Sequence, residues 1–296
     1  MKYLITGADG FIGKNLVNYL ARNKANTIIA TDRTTKVYFE GTNIQYQSCE
    51  LKDKAQVDKF EDVDKVVHLA AYNGTKFFYE RPFDVIKDNI IPTLNLLDRY
   101  KDTNVEFIYS GSPESTTNAD LPAKEDAPYF IPDPLNPRWS YANSKALGEQ
   151  AVIHSGLKWK IIRYNNVYGP GQKDHFIPEF VDRLKQTQEA ILYGYSNTRT
   201  FLFIEDACEA TEKVMDYGNC EEEIINIGGA EELKIHEVAN VICDLVGYKG
   251  VVVGEPAPEG SVTRRWPDIS KIKLKTGWHP KTRLRSGLAK TLGLWT

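Results

Sequence analysis

The sequence has few cysteines and no pairing pattern among them. Its four, Cys49, Cys208, Cys220 and Cys243, are scattered, with no C-x-x-C. That argues against a disulfide scaffold or a cysteine zinc site, and reduced thiols in a cytoplasmic protein are the expectation. Long apolar runs are missing too. None approaches the roughly 18 residues of a membrane span. An excess of charge of one sign is also absent: 37 Lys and Arg stand against 40 Asp and Glu, a net charge of -3. This balance argues against non-specific binding to nucleic acid or to an anionic membrane. The five histidines form no H-E-x-x-H, and no metal site is readable. The opening MKYLITGADG lacks an apolar leader and goes directly into a strand and turn, so no cleaved segment is expected. What is present is a 296-residue chain with 42% hydrophobic residues, enough for a sizeable core in one large or two modest domains.

Short β-type runs alternate with helical stretches in the first half. Strands are expected at Lys2–Thr6, Thr27–Thr31, Lys65–Leu69, Glu106–Ser110 and Lys158–Arg163, and helices at Phe11–Arg22, Phe83–Tyr100 and Tyr141–Ser155. This alternation predicts an α/β fold with a Rossmann-type doubly wound parallel sheet. VVHLAA and FIYS are continuous apolar runs, as strands buried on both faces require. After Tyr168 the texture becomes irregular, and Gly254–Pro267 is a loop rich in Pro, Gly and Arg. The expectation is a first domain over residues 1–168, with a return segment at about 201–228. That segment holds helix Glu205–Tyr217 and strand Glu223–Ile227. A smaller C-terminal α/β domain is expected over 169–200 and 229–296.

The first strand ends in Thr6-Gly7-Ala8-Asp9-Gly10-Phe11-Ile12-Gly13, a G-x-x-G-x-x-G turn. Gly7 permits the tight turn, Gly10 lets backbone approach a pyrophosphate, and Gly13 lets the helix pack on the strand. The free N–H groups and positive dipole end of the new helix suit phosphate. Because the turn follows a strand and opens a helix, it predicts dinucleotide binding. Asp32 follows the second strand, where a carboxylate takes the adenosine ribose hydroxyls and favours NAD over NADP. The adjacent Arg33 is placed to offset this toward a 2′-phosphate. Glu50 and Leu51 are candidates to frame the adenine.

Tyr141-Ala142-Asn143-Ser144-Lys145 puts Tyr141 and Lys145 one turn apart on one helix face. A free tyrosine, with a pKa near ~10, is a poor base at neutral pH. A nearby ammonium and a positive nicotinamide ring favour the phenolate, and lowering the pKa by about two units needs only ~2.7 kcal/mol. The phenolate then takes a proton from a hydroxyl while hydride leaves the same carbon. Lys145 is also expected to hold the nicotinamide ribose.

Together these motifs make the chain similar to the extended short-chain dehydrogenase/reductase family, specifically its NAD-dependent nucleotide-sugar epimerases and dehydratases. Matching stretches run along essentially the whole length. They are TGADGFIG, HLAA (His68–Ala71), DNIIPTLNLL (Asp88–Leu97), YSGS (Tyr109–Ser112), YANSK, RYNNVYGPG (Arg163–Gly171), TRTFLFIEDACEA (Thr198–Ala210) and RRWPDISKIKLKTGWHP (Arg264–Pro280). The resemblance implies NAD as cofactor, a nucleotide-diphosphate sugar as substrate and the smaller domain as its binding unit. It also implies a homodimer joined through the helices matching Asp84–Tyr100 and Tyr141–Ser155. Residue by residue, Ser112 resembles the catalytic Ser/Thr that bonds the sugar hydroxyl beside Tyr141. Leu69, Ala70, Ala71, Asn89 and Ser110 resemble residues lining the cofactor, with Phe11 and Ile12 in the glycine turn. Asn166 resembles the Asn that meets the substrate diphosphate. Arg199 and Arg264 or Arg265 resemble the arginines that clamp it, a task suited to guanidinium geometry. His68 is read as structural.

The departures bear on the reaction. Family 4,6-dehydratases carry an acid pair or Ser-Glu after the catalytic Thr, and UDP-glucuronate decarboxylases carry Thr-Ser-Glu. Here Ser112 is followed by Pro113 and Glu114. Proline has no proton to donate, and Glu114 remains as a candidate second-stage base. The Cys and His of epimerase-reductases are not found at Pro113–Thr117. Simple 4-epimerisation needs only Ser112, Tyr141 and Lys145, and is the favoured reading. Decarboxylase, 4,6-dehydratase and 4-dehydrogenase/ketoreductase are the alternatives. A non-catalytic dinucleotide sensor or scaffold would be expected to lose Ser112, Tyr141 or Lys145, and this chain keeps all three.

Overall fold

The computed structural model describes residues 1–35, 38–131, 133–257 and 261–294. Six strands come first in chain order: β1 (Lys2–Thr6), β2 (Thr27–Asp32), β3 (Ile44–Ser48), β4 (Lys65–His68), β5 (Glu106–Gly111) and β6 (Lys158–Tyr164). With Glu223–Ile227 they build one seven-stranded sheet. Its order runs from Glu223–Ile227 through β6, β5, β4, β1 and β2 to β3, and every pairing is parallel. The expected strand Glu223–Ile227 has those bounds and pairs with β6.

Consecutive strand residues point to opposite faces, and here they feed two separate cores. Ile5, Ile28, Val67, Ile108 and Ile162 enter one, against α1 (Phe11–Leu20) and helix Ile204–Asp216. Leu4, Ile29, Val66, Phe107 and Ile161 enter the other, with Leu96, Leu97 and Tyr100 of helix Pro82–Tyr100 and Val152 of helix Ser140–Ile153. Each such side chain contributes about 1.5–3 kcal/mol on burial.

At the amino-terminal edge of the sheet three charges are buried together. Lys160 on β6 reaches Glu106 on β5 at 2.8 Å, and Lys65 on β4 pairs with the same carboxylate. Both ammonium groups donate to the Met215 carbonyl at the end of helix Ile204–Asp216, at 2.7 and 2.9 Å. The cluster ties three strands to the helix that crosses their rear.

The second half adds short pairings. Glu189–Tyr193 pairs with Val251–Glu255, and Thr198–Arg199 lies between Leu233–Lys234 and Arg264–Arg265. The expected loop Gly254–Pro267 thus begins inside a strand and regains one at Arg264–Arg265; its residues 258–260 lie outside the described residues. Among the described residues no helix is long and apolar enough to cross a membrane.

Candidate active site

The glycine turn sits at the carboxyl end of β1. Gly7 has φ +68°, and a Cβ there would lie 2.7 Å from the Ala70 amide nitrogen. A Cβ at Gly13 would collide with the Gly7 carbonyl, so helix and turn pack backbone to backbone. Gly10 is the N-cap of α1 and has no side chain to occupy the amides of the first turn. Those amides, carrying the helix dipole, suit a pyrophosphate. Phe11 and Ile12 open the helix and pack against the core.

A crevice leads from Gly7 and Gly10 past Asp32, Glu50 and Leu51 to Leu69, Ala70 and Ala71. Asp32 ends β2 and accepts the Asp9 amide at 3.1 Å, which fixes its carboxylate beside the turn. The Arg33 guanidinium lies 5.8 Å from the centre of the Tyr72 ring. Lys52, next to Leu51, pairs with Asp88 at 2.8 Å. The backbone cradle and the carboxylate beyond it fit a dinucleotide with a free adenosine ribose. NAD is therefore expected to bind at least about tenfold more tightly than NADP. A phosphate about 4 Å from Asp32 costs roughly 4 kcal/mol at an effective dielectric near 20, outweighing an exposed Arg33 contact of about 1 kcal/mol. Equal Kd values in a fluorescence titration would remove Asp32 from this role.

Tyr141 and Lys145 lie in the first half of helix Ser140–Ile153, both buried. Lys145 Nζ donates to the Ser110 carbonyl at 2.6 Å and lies 4.8 Å from the centre of the Tyr109 ring. Ser112 is extended (φ -145°, ψ 138°), as the following Pro113 requires, and its Oγ accepts the Glu114 amide at 3.2 Å. Burial raises the Tyr141 phenol above the usual tyrosine range, and Glu114 adds to this. Hydrogen bonding from Ser112 and the charges of Arg265 and Arg138 oppose it. Burial also brings Lys145 down to about 8, opposed by Glu149. In the protein by itself the phenol is thus neutral, and Arg265 and Arg138, rather than Lys145, are the prominent charges favouring the phenolate. Phe78 stacks on Tyr141 with ring centres 5.0 Å apart. His68 is sandwiched between Thr6 Oγ1 (2.7 Å) and Thr93 Oγ1 (3.1 Å), and burial brings its pKa to about 3, a structural role.

The remaining residues divide. Glu114 is buried and bound bidentately by Arg138 at 2.8 and 3.0 Å, with Arg265 at 3.2 Å. Burial alone would raise its pKa, but the two guanidiniums bring it to about 2. A carboxylate so held is a poor proton acceptor, which argues against Glu114 as a base. Arg264 and Arg265 are neighbours on a strand and diverge: Arg264 forks onto Glu232 at 2.7 Å, away from Glu114. Arg199 donates to the carbonyls of Thr198, Val262 and Thr263, bracing the segment before Arg264. Burial lowers its pKa to about 9, with Arg265 adding to the effect. Asn166 has φ +41° and donates to the Thr200 carbonyl at 2.9 Å, holding its own turn. Asn89 accepts the Tyr72 amide at 2.6 Å and donates to Ser144 Oγ at 2.9 Å, which ties the loop after β4 to the Tyr141 helix. Sequence patterns do not single out Arg138 or Phe78. Arg138 stands in a loop turn without periodicity, and Phe78 in a six-residue helix too short to show one.

A parallel doubly wound sheet, a glycine turn at its carboxyl edge and Ser112 against Tyr141 define a dinucleotide-binding α/β protein. Residues 3–228 match the NAD dependent epimerase/dehydratase family, and the chain belongs to it. It is 32% identical to a UDP-N-acetyl-alpha-D-glucosaminuronate decarboxylase of Bacillus cytotoxicus, over 98% of this chain and 96% of that one. It is 27% identical to a UDP-glucuronate 4-epimerase of Thermodesulfobacterium geofontis, over 98% and 94%. Among solved structures, the UDP-glucuronic acid 4-epimerase of Bacillus cereus, in complex with UDP-glucuronic acid and NAD, superposes with a TM-score of 0.88. The match has 25% identity and covers 99% of this chain and 98% of that one.

Proposed function

We propose that the protein is an NAD-dependent nucleotide-sugar 4-epimerase. The observation that carries this reading is the state of the two residues after Ser112. Pro113 has no donor, and Glu114 is neutralised by Arg138 and Arg265. Neither suits the acid–base step that dehydration or decarboxylation adds. Ser112, Tyr141 and Lys145 remain, and they suffice for epimerisation.

In this reading Tyr141 takes the proton of the C4 hydroxyl and Ser112 holds that hydroxyl in line. The glycine turn and Asp32 would hold NAD, which would supply a hydride acceptor and donor for C4. Lys145 anchors the nicotinamide ribose, and Arg265 and Arg138 supply the positive charge that favours the phenolate as the phenol ionises. The keto-sugar turns over so that hydride would return to the opposite face of C4, and Tyr141 gives its proton back to the C4 oxygen. Arg265 is assigned to the diphosphate, supported by the excess of Arg138, Arg199 and Arg265 over Glu114; Arg199 and Asn166, which donate to backbone carbonyls, are assigned to shaping that site. We read residues 1–168 and 201–228 as the cofactor unit, and 169–200 and 229–296 as the sugar-nucleotide unit. Exposed Phe83, Ile86 and Leu94 on helix Pro82–Tyr100 and Leu147 on the Tyr141 helix support a homodimer through these helices. Four unpaired cysteines support a cytoplasmic setting.

Decarboxylation is the second reading, favoured by the decarboxylase relative that is 32% identical over 98% of this chain. Turnover of a panel of UDP-, GDP-, CDP- and dTDP-sugars in D2O, followed by NMR and mass spectrometry, separates the two. Epimerisation gives a product of substrate mass that keeps its C5 proton and carries no deuterium on carbon. Loss of water or carbon dioxide, or deuterium at C5, would overturn the epimerase reading.

A further inference from the structure

Tyr141, Lys145 and Glu149 stand at i, i+4 and i+8 on one face of helix Ser140–Ile153. The reaction as described uses the first two. Glu149 is completely buried, and its carboxylate has four donors. Arg163 Nε (3.1 Å) and the Ser112 backbone N–H (3.2 Å) reach Oε1; Arg163 Nη2 (2.6 Å) and the Tyr129 hydroxyl (2.9 Å) reach Oε2. The strand end approaches so closely that a Cβ on Gly111 would collide with this carboxylate. The helix that carries the phenol therefore also grips the backbone that carries the Ser112 hydroxyl.

We infer that Glu149 is a positioning residue of the catalytic helix: its carboxylate, held by Arg163 and Tyr129, fixes the Ser112 backbone relative to Tyr141. A structural ion pair needs only Arg163, and a neutral acceptor would serve the Ser112 amide. Placing the anion one turn beyond Lys145 serves the Ser112 amide and opposes the effect of burial on Lys145 from one side chain. Lys145 faces Tyr109 and the Ser110 carbonyl from β5, and His68, neutral, from β4. Glu114 and Arg138 face Tyr141 from the two 3-10 turns. Helix Pro82–Tyr100 contributes the neutral Asn89, bonded to Ser144. Around Glu149 itself stand Arg163, Tyr129 and Tyr109, with the Glu125 carbonyl bonded to Arg163 at 3.2 Å. Glu149 is thus the anion that raises the pKa of a lysine which burial lowers.

The inference rests on the Ser112–Tyr141–Lys145 reading, so wild type and Tyr141→Phe are measured in the same assay. Glu149→Gln keeps the size and removes the charge. Its kcat is expected to fall about 10- to 100-fold with KM within about threefold. The alkaline limb of its kcat–pH profile is expected to move lower, because the anion that opposes the effect of burial on Lys145 is gone. Glu149→Asp keeps the charge but withdraws from Ser112. It should lower kcat and leave that limb in place. Glu149→Leu combined with Arg163→Met removes both buried charges together, which protects the fold. It should reproduce the shifted limb. NAD affinity, measured by fluorescence, should stay within about threefold in all three. Folded Glu149→Gln, or the folded double variant, with wild-type kcat and an unmoved limb would overturn the inference. So would a fall in kcat that merely tracks loss of folded protein. If wild type turns over no nucleotide sugar, or Tyr141→Phe is fully active, the functional reading fails instead.

Discussion

Tyr141→Phe is expected to lower kcat by about 10²–10⁴-fold, the usual range for losing a positioned proton-transfer group. The fold should survive, because the ring stacked on Phe78 is retained. In the proposed step the phenol oxygen acts through ionisation, and phenylalanine has none. The effect should fall on kcat, with KM little changed, because substrate binding rests on groups elsewhere. NAD should stay bound, since the glycine turn and Asp32 are untouched. Lys145→Met should also weaken NAD retention, and in addition leave the Ser110 carbonyl without the donor now 2.6 Å away. Single-turnover kinetics with NAD titrations decide the matter. Near-normal turnover by Tyr141→Phe would remove the tyrosine from the chemistry.

The largest stability effect is expected far from the site, at Glu106. Glu106→Gln leaves Lys65 and Lys160 buried, facing the Met215 carbonyl and one another with no anion between them. Removing one partner of a buried charge cluster costs about 3–5 kcal/mol, which lowers Tm on the order of 10 °C in a chain of this size. Activity per folded molecule at low temperature should hold. A Tm unchanged by Glu106→Gln would mean that the carbonyls alone satisfy both lysines.

The sheet is legible in the sequence because its strands are continuous apolar runs and its first turn needs glycine. Lys2–Thr6 and Glu223–Ile227 have the expected bounds, and the Tyr141 helix begins one residue early, at Ser140. The two-residue strands at Thr198–Arg199, Leu233–Lys234 and Arg264–Arg265 are too short to carry a periodicity. Yet it is the last of these that separates Arg264 from Arg265, since neighbours on a strand face opposite ways. The alternative between the two arginines has no resolution without that strand. Glu114 illustrates a different limit. Its place after Ser112 is visible in the sequence, but the guanidiniums that change its chemistry come from residues 24 and 151 positions away. Glu149 carries a signal, the same four-residue spacing that marks Tyr141 and Lys145.

The alternation of strand residues between two cores governs where the chain can change in length. One residue inserted in β5 would exchange Phe107 and Ile108 between cores and carry Ser112 off the Glu149 carboxylate. The central strands are therefore closed to insertion and deletion. The connections after β5 and after Glu255 lie outside these strands, and they border Ser112, Arg138 and Arg265. A change of loop length there would leave the register of the strands, and of Ser112 against Glu149, intact.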